Sequence, residues 1–218
     1  MTHLTIEPAW QDILTHDHLD TFETLHSYSG AECCSSHSRG ATWRHQLSDG
    51  RVIFIKQDYY TKLQPILQAI IYFRWPETNT EREYRQMEIV RSHGFRVPEV
   101  VAHSWHPRWL PPTTGVLVEA AVPGVPVDRL VADPSVAEET KRDALAKARK
   151  CLTALQEAGF DWNIDCKPEH FFYCEDGEVT ILDVERLRFT GKVLSAAYRA
   201  KQHDRFTSLL PKEYTEKG

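Results

Sequence analysis

Two neighbouring stretches decide the fold: Gly159–Phe172, GFDWNIDCKPEHFF, and Thr180–Arg188, TILDVERLR. The first gathers Asp165, Lys167 and His170 into a turn, and the second ends an apolar run on Asp183. HFFYC and VTILDV read as the arms of a hairpin about Glu175-Asp176-Gly177, because an Asp-Gly pair between apolar runs is a strong turn signal. Upstream, SVAEETKRDALAKARKCLTALQEA (Ser135 to Ala158) places Leu145, Ala148, Leu152 and Leu155 at helical spacing with charges on the other face, and Gly159 stops it. The expected order is therefore a long helix, a charged turn, then a hairpin.

Further toward the amino terminus, SRGATWRHQLSDGRVIFIKQ contains two strand-like runs around Ser48-Asp49-Gly50, the second ending on Lys56. Residues 57 to 79, rich in Tyr, Gln and Pro, read as a helix-loop insert. TEREYRQMEIVRSHGF then reads as a helix stopping at Gly94, and VPEVVAHSWHP and GVLVEAAVPG as strands about a Pro-rich turn. Residues 1 to 30 suit a short strand and one amphipathic helix, an embellishment ahead of the lobe. The expectation is an α+β chain with an N-lobe over 1–118, a hinge over 119–124 and a small, mainly helical C-lobe over 125–218.

A formal net charge of -5 argues against a protein that coats nucleic acid, since that binding depends on Lys and Arg neutralising phosphates. Cys33, Cys34, Cys151, Cys166 and Cys174 form no regular framework and read as reduced thiols of a cytoplasmic protein. The amino terminus is too acidic and polar for a signal peptide, and no run is long enough to span a membrane. Membrane contact would therefore be peripheral. The aromatic-basic segments YFRW (Tyr72 to Trp75) and HPRWLPP (His106 to Pro112) suit a headgroup interface and equally suit plain packing.

The chemistry-bearing set is Lys56 at a strand end, a glutamate on the following helix, Asp165, Lys167 and His170 in the turn, and Asp183 after a hairpin strand. A buried lysine can grip phosphates only when a carboxylate fixes its ammonium. Glu83 is the chosen partner, with Glu81 and Glu88 as alternates. Taken alone, Lys56 is a solvated strand-end lysine, Lys167 a surface charge, His170 a satisfied histidine, and Glu185 with Arg186 an ordinary ion pair. The scattered His16, His18, His26, His37 and His45 show no metal-ligand spacing.

With these residues in this order, the chain resembles the protein-kinase-like superfamily and, within it, the lipopolysaccharide kinase (Kdo/WaaP) family, over roughly residues 38 to 190. RVIFIK is similar to the strand bearing the nucleotide lysine, Lys56, and EREY to the helix bearing its partner, Glu83. GVLVEAAVPG resembles the inter-lobe linker, which implies adenine recognition by backbone groups near Glu119, Ala120 and Ala121. NIDCKPEHFF resembles the catalytic loop, so Asp165 would orient the acceptor hydroxyl, Lys167 would lie near the transferred phosphate, and His170 matches the histidine of the heptose-kinase branch. ILDVER resembles an I-D-L-H-R stretch, which implies Asp183, together with His170, as the magnesium ligands and sets Arg186 nearby. Asn163-Ile164 replaces the usual His-Arg, and the glycine-rich loop is reduced to Ser38-Arg39-Gly40-Ala41-Thr42, leaving Gly40 alone to admit a phosphate.

The resemblance implies ATP and Mg2+ as cofactors, transfer of the γ-phosphate to a heptose or Kdo hydroxyl of the lipopolysaccharide inner core, and work at the cytoplasmic face of the inner membrane of Gram-negative bacteria. Two rivals stand beside it. One is a kinase-shaped nucleotide-binding module with little catalysis, and the other a kinase of small soluble alcohols.

Overall fold

The computed structural model describes residues 2–30, 32–60, 71, 76–106 and 114–215. The chain divides into two compact units: residues 1–85 with 99–121, and residues 86–98 with 122–218. Most of the insert expected over 57–79, the segment YFRW and the greater part of HPRWLPP lie outside the described residues. Among the described residues no helix is long and apolar enough to cross a membrane.

The first unit is built on a six-stranded antiparallel sheet. Its strands are β1 (His3–Ile6), β2 (Glu32–His37), β3 (Gly40–Gln46), β4 (Val52–Asp58), β5 (Val100–Trp105) and β6 (Gly115–Ala120), in the spatial order β1-β5-β6-β4-β3-β2. Strand alternation sets the two faces of β4. Ile53 and Ile55 enter a core with Trp10, Leu14, Leu25, Val101, Val116 and Val118, so Phe54 and Lys56 belong to the opposite face.

That core depends on the amino-terminal segment, which is part of the unit rather than an embellishment on it. β1 pairs with β5, and two short helices, α1 (Gln11–His16) and α2 (Phe22–His26), supply Leu14 and Leu25, both fully buried. Polar anchors fix the arrangement: Trp10 Nε1 donates to Glu99 at 2.7 Å, and Gln57 Nε2 donates to the Leu25 and Tyr28 carbonyls at 2.7 and 2.9 Å. The turn between β3 and β4 closes with Gly50 at φ 89, a left-handed conformation that glycine adopts without steric cost.

Helix α3 (Asn79–Ser92) ends at Gly94, whose φ is 83. In the second unit, α4 (Val127–Ala132) precedes α5 (Glu138–Glu157), which buries Ala144, Leu145, Ala148, Leu152 and Leu155 along one stripe. Glu138 and Glu139 in its first turn favour the positive end of the helix dipole, and Gly159, at φ 89, lets the chain turn away. β7 (Gly124–Pro126), β9 (Phe171–Cys174) and β10 (Val179–Ile181) form a three-stranded sheet ordered β10-β9-β7. β8 (Phe160–Asp161) pairs with β11 (Arg188–Phe189), and α6 (Ala196–Thr207) follows.

Candidate active site

In the first unit, Lys56 pairs with Thr42 on β3 and Leu117 on β6. Its ammonium donates to Glu83 on α3 at 2.7 Å and to Glu119 on β6 at 3.0 Å. Both glutamates are buried, and the Lys56 side chain retains 23% exposure. Burial alone would lower the ammonium pKa, but the Glu119 and Glu83 carboxylates more than offset it, and the group is held well above the usual lysine range. The alternates lie elsewhere: Glu81 accepts from His106 Nδ1 at 2.8 Å, and Glu88 pairs with Arg91.

Glu119 holds the partnership that sequence reasoning missed. The linker resemblance concerned its backbone, whereas its side chain is the second carboxylate on Lys56. The single acidic residue in the run Gly115–Ala120 was the available signal, because a carboxylate on a buried strand needs a cation. The amides of Ala120 and Ala121 donate to the Glu99 and Val52 carbonyls, both at 2.9 Å, so those two N–H groups are committed within the unit. Gly40 has a packing reason of its own, since a Cβ there would sit 2.1 Å from the Gln57 carbonyl oxygen.

In the second unit, the hairpin ladder builds the cluster. Phe171 faces Ile181, and the Leu182 amide donates to the His170 carbonyl at 2.8 Å, so His170 and Asp183 flank the same end of the hairpin. His170 is 3% exposed, with Nε2 3.6 Å from Asp183 Oδ2 and 3.7 Å from Glu169. One donor atom each from Asp165, His170 and Asp183 lies within 4.8 Å of the others. Burial lowers the His170 pKa against the opposing pull of Asp183 and Asp165. The imidazole therefore favours its neutral, metal-binding form.

The backbone is bent to make this cluster. Asp183 and Asn163 both adopt left-handed φ, 54 and 52, conformations costly for residues with a Cβ and concentrated at functional sites. Lys167 lies 3.5 Å from Asp165 and 2.9 Å from Glu169, and the Glu169 hydrogen bond leads the causes that raise its pKa. The exposed Arg186 guanidinium lies 3.7 Å from Asp165. Two buried nitrogens near the turn, Trp162 Nε1 and His170 Nδ1, have no hydrogen-bond partner among the described residues. Two carboxylates and a neutral imidazole converging in this way fit a divalent cation.

No family model matches the chain, and no curated protein matches it in sequence. Among solved structures it is similar to WaaP in complex with acyl carrier protein, with a TM-score of 0.65 at 16% identity over 94% of this chain and 79% of that one. The chain has a protein-kinase-like fold. Weaker likenesses are to the pseudokinase domain of BIR2, an immune regulator of the RLK/Pelle family (TM-score 0.43, 13% identity, 83% of this chain and 52% of that one), and to Rv3197 with erythromycin from Mycobacterium tuberculosis (0.47, 20%, 84% and 52%).

Proposed function

We propose that the chain is an ATP-dependent phosphotransferase whose acceptor is a sugar hydroxyl of the lipopolysaccharide inner core, a heptose or Kdo. The observation carrying this reading is the convergence of Asp165, His170 and Asp183 on a turn and a strained aspartate. Asp183 and His170 would hold Mg2+, which when bound neutralises phosphate charge. Asp165 accepts a hydrogen bond from the acceptor hydroxyl and would take its proton as the new O–P bond forms and the bond from the γ-phosphorus to the β,γ-bridging oxygen breaks, with ADP as the leaving group. Lys167 meets the oxygens of the transferred group. Lys56, steadied by Glu83, donates charge-assisted hydrogen bonds to the α- and β-phosphates. Catalysis of this kind is positioning plus charge stabilisation. Any adenine contact near Glu119 and Ala121 uses groups other than the committed Ala120 and Ala121 amides. The acceptor class and the reaction class rest on the family resemblance, and the likeness to WaaP supports the protein-kinase-like fold that this reading needs.

A second reading, a nucleotide-binding module with little catalysis, is favoured by Glu119, whose carboxylate already occupies the ammonium that phosphates would need. Phosphotransfer from radiolabelled Mg-ATP to purified lipopolysaccharide core acceptors separates the two. Transfer by the wild type that Asp165→Ala and Asp183→Ala both abolish, in folded proteins, establishes the enzyme. ATP binding without transfer to any acceptor favours the module, and transfer only to small soluble alcohols overturns the acceptor class.

A further inference from the structure

The turn that carries Asp165 is gripped by a chain of polar groups that runs from the half-buried Asp161 to two buried glutamines. Asp161 Oδ1 accepts the backbone N–H of Asn163 at 2.6 Å and the side-chain amide of Gln202 on α6 at 2.7 Å. Gln202, 2% exposed, in turn accepts from Gln156 Nε2 on α5 at 2.9 Å, and Gln156 is 1% exposed. Tyr198 places its hydroxyl 3.1 Å from Asn163 Oδ1 and 3.4 Å from Asp161 Oδ2. Asn163 is one of the left-handed residues, and two positions later the Asp165 N–H closes the turn on the Trp162 carbonyl at 3.0 Å.

Packing does not ask for this arrangement. Two glutamines inside a helix–helix contact each cost desolvation that leucines would not, the more so as Gln156 Oε1 has no hydrogen-bond partner among the described residues, and such groups persist where a polar network fixes one conformation. Here the network ends on the single N–H whose orientation defines the strained residue before Asp165. Asp161 also sits on the ribbon opposite Arg188, so one residue ties the Asp165 turn to the strand that follows Asp183.

We propose that Asp161, oriented by Gln202 and Gln156, is the positioning residue that holds the Asn163–Asp165 turn, and with it the Asp165 carboxylate, in reactive geometry. The kinetic part of this inference rests on the phosphotransfer reading above; the structural part does not. Asp161→Asn keeps an oxygen at the Oδ1 position but removes the carboxylate charge that strengthens both of its hydrogen bonds and the second oxygen that faces Tyr198, and Gln202→Leu removes one donor at similar volume.

Both variants are expected to lower kcat by on the order of 10- to 100-fold while the KM for ATP stays within about twofold, because misplacing the reacting group costs rate rather than ground-state binding. Hydrogen exchange read on the peptide spanning Trp162 to Cys166 should speed up by about tenfold or more at the Asn163 amide in Asp161→Asn. Unchanged exchange, or kcat within about twofold of wild type in a folded Asp161→Asn protein, overturns the proposal. If the wild type transfers no phosphate, the phosphotransfer reading fails, and the exchange measurement alone decides whether Asp161 holds the turn. If Asp161→Asn does not fold, Gln202→Leu and Tyr198→Phe decide it by the same two readouts.

Discussion

Lys56 sets one positive charge against two buried carboxylates, so removing it leaves Glu83 and Glu119 to repel each other. Losing one member of a buried ionic cluster costs about 3–5 kcal/mol, which lowers the melting temperature of a chain this size by roughly 10 °C for Lys56→Met. Glu119→Gln keeps one carboxylate on the ammonium and should cost far less. It should also strengthen ATP binding by freeing donors that Glu119 now occupies. Thermal melts with and without ATP test both statements; a Lys56→Met protein as stable as the wild type refutes the first. His170 supports a second expectation. An imidazole among carboxylates shifts a site from Mg2+ toward Mn2+, so His170→Asn should reduce the Mn2+ preference over Mg2+ by about tenfold. Competition titration of the two ions gives the ratio, and an unchanged ratio removes His170 from the ligand set.

The helix α5, its glycine stop and the β9–β10 hairpin were legible because each carries a local signal: apolar residues at helical spacing, or an Asp-Gly turn between apolar runs. The amino-terminal segment was not. α1 and α2 are too short to show a helical period, and their burial depends on β4, β5 and β6, whose positions no local pattern encodes. Glu119 was opaque for the same reason, since the side chain that explains it lies 63 positions away in sequence. Asp165, His170 and Asp183 could be named from spacing and resemblance, whereas the left-handed backbone at Asn163 and Asp183 could not. At this scale Gly40 is informative. It begins β3 opposite Asp58 of β4, and the Gln57 carbonyl leaves no room for a Cβ. Gly40→Ala should force the ladder apart and cost about 1–3 kcal/mol, measured from the urea midpoint. A neutral substitution would return Gly40 to a purely phosphate-facing role.

Across the whole chain, the five cysteines report how each unit is closed to solvent. Cys33 and Cys34 lie exposed on β2, the edge strand of the first unit's sheet, while Cys166 and Cys174 are buried in the second. Cys151 on α5 is partly exposed, yet burial of its thiol pushes its pKa up to about 12, as it does for Cys166. The thiolate is the attacking species, so at pH 8 a thiol with a pKa near 12 reacts through only about one molecule in ten thousand. Cys34 is also raised, first by burial and then by Glu32, which slows it relative to an open thiol but leaves it accessible. Titration with an aromatic disulfide reagent at pH 8 should therefore consume two thiols in the native chain, one faster than the other, and all five in guanidinium. Cys33→Ser should remove the faster native phase and Cys34→Ser the slower. Fast reaction of Cys166, the residue after Asp165, in the native chain would mean that the Asp165 turn opens readily, and the tight grip on that turn through Asp161 would fall with it.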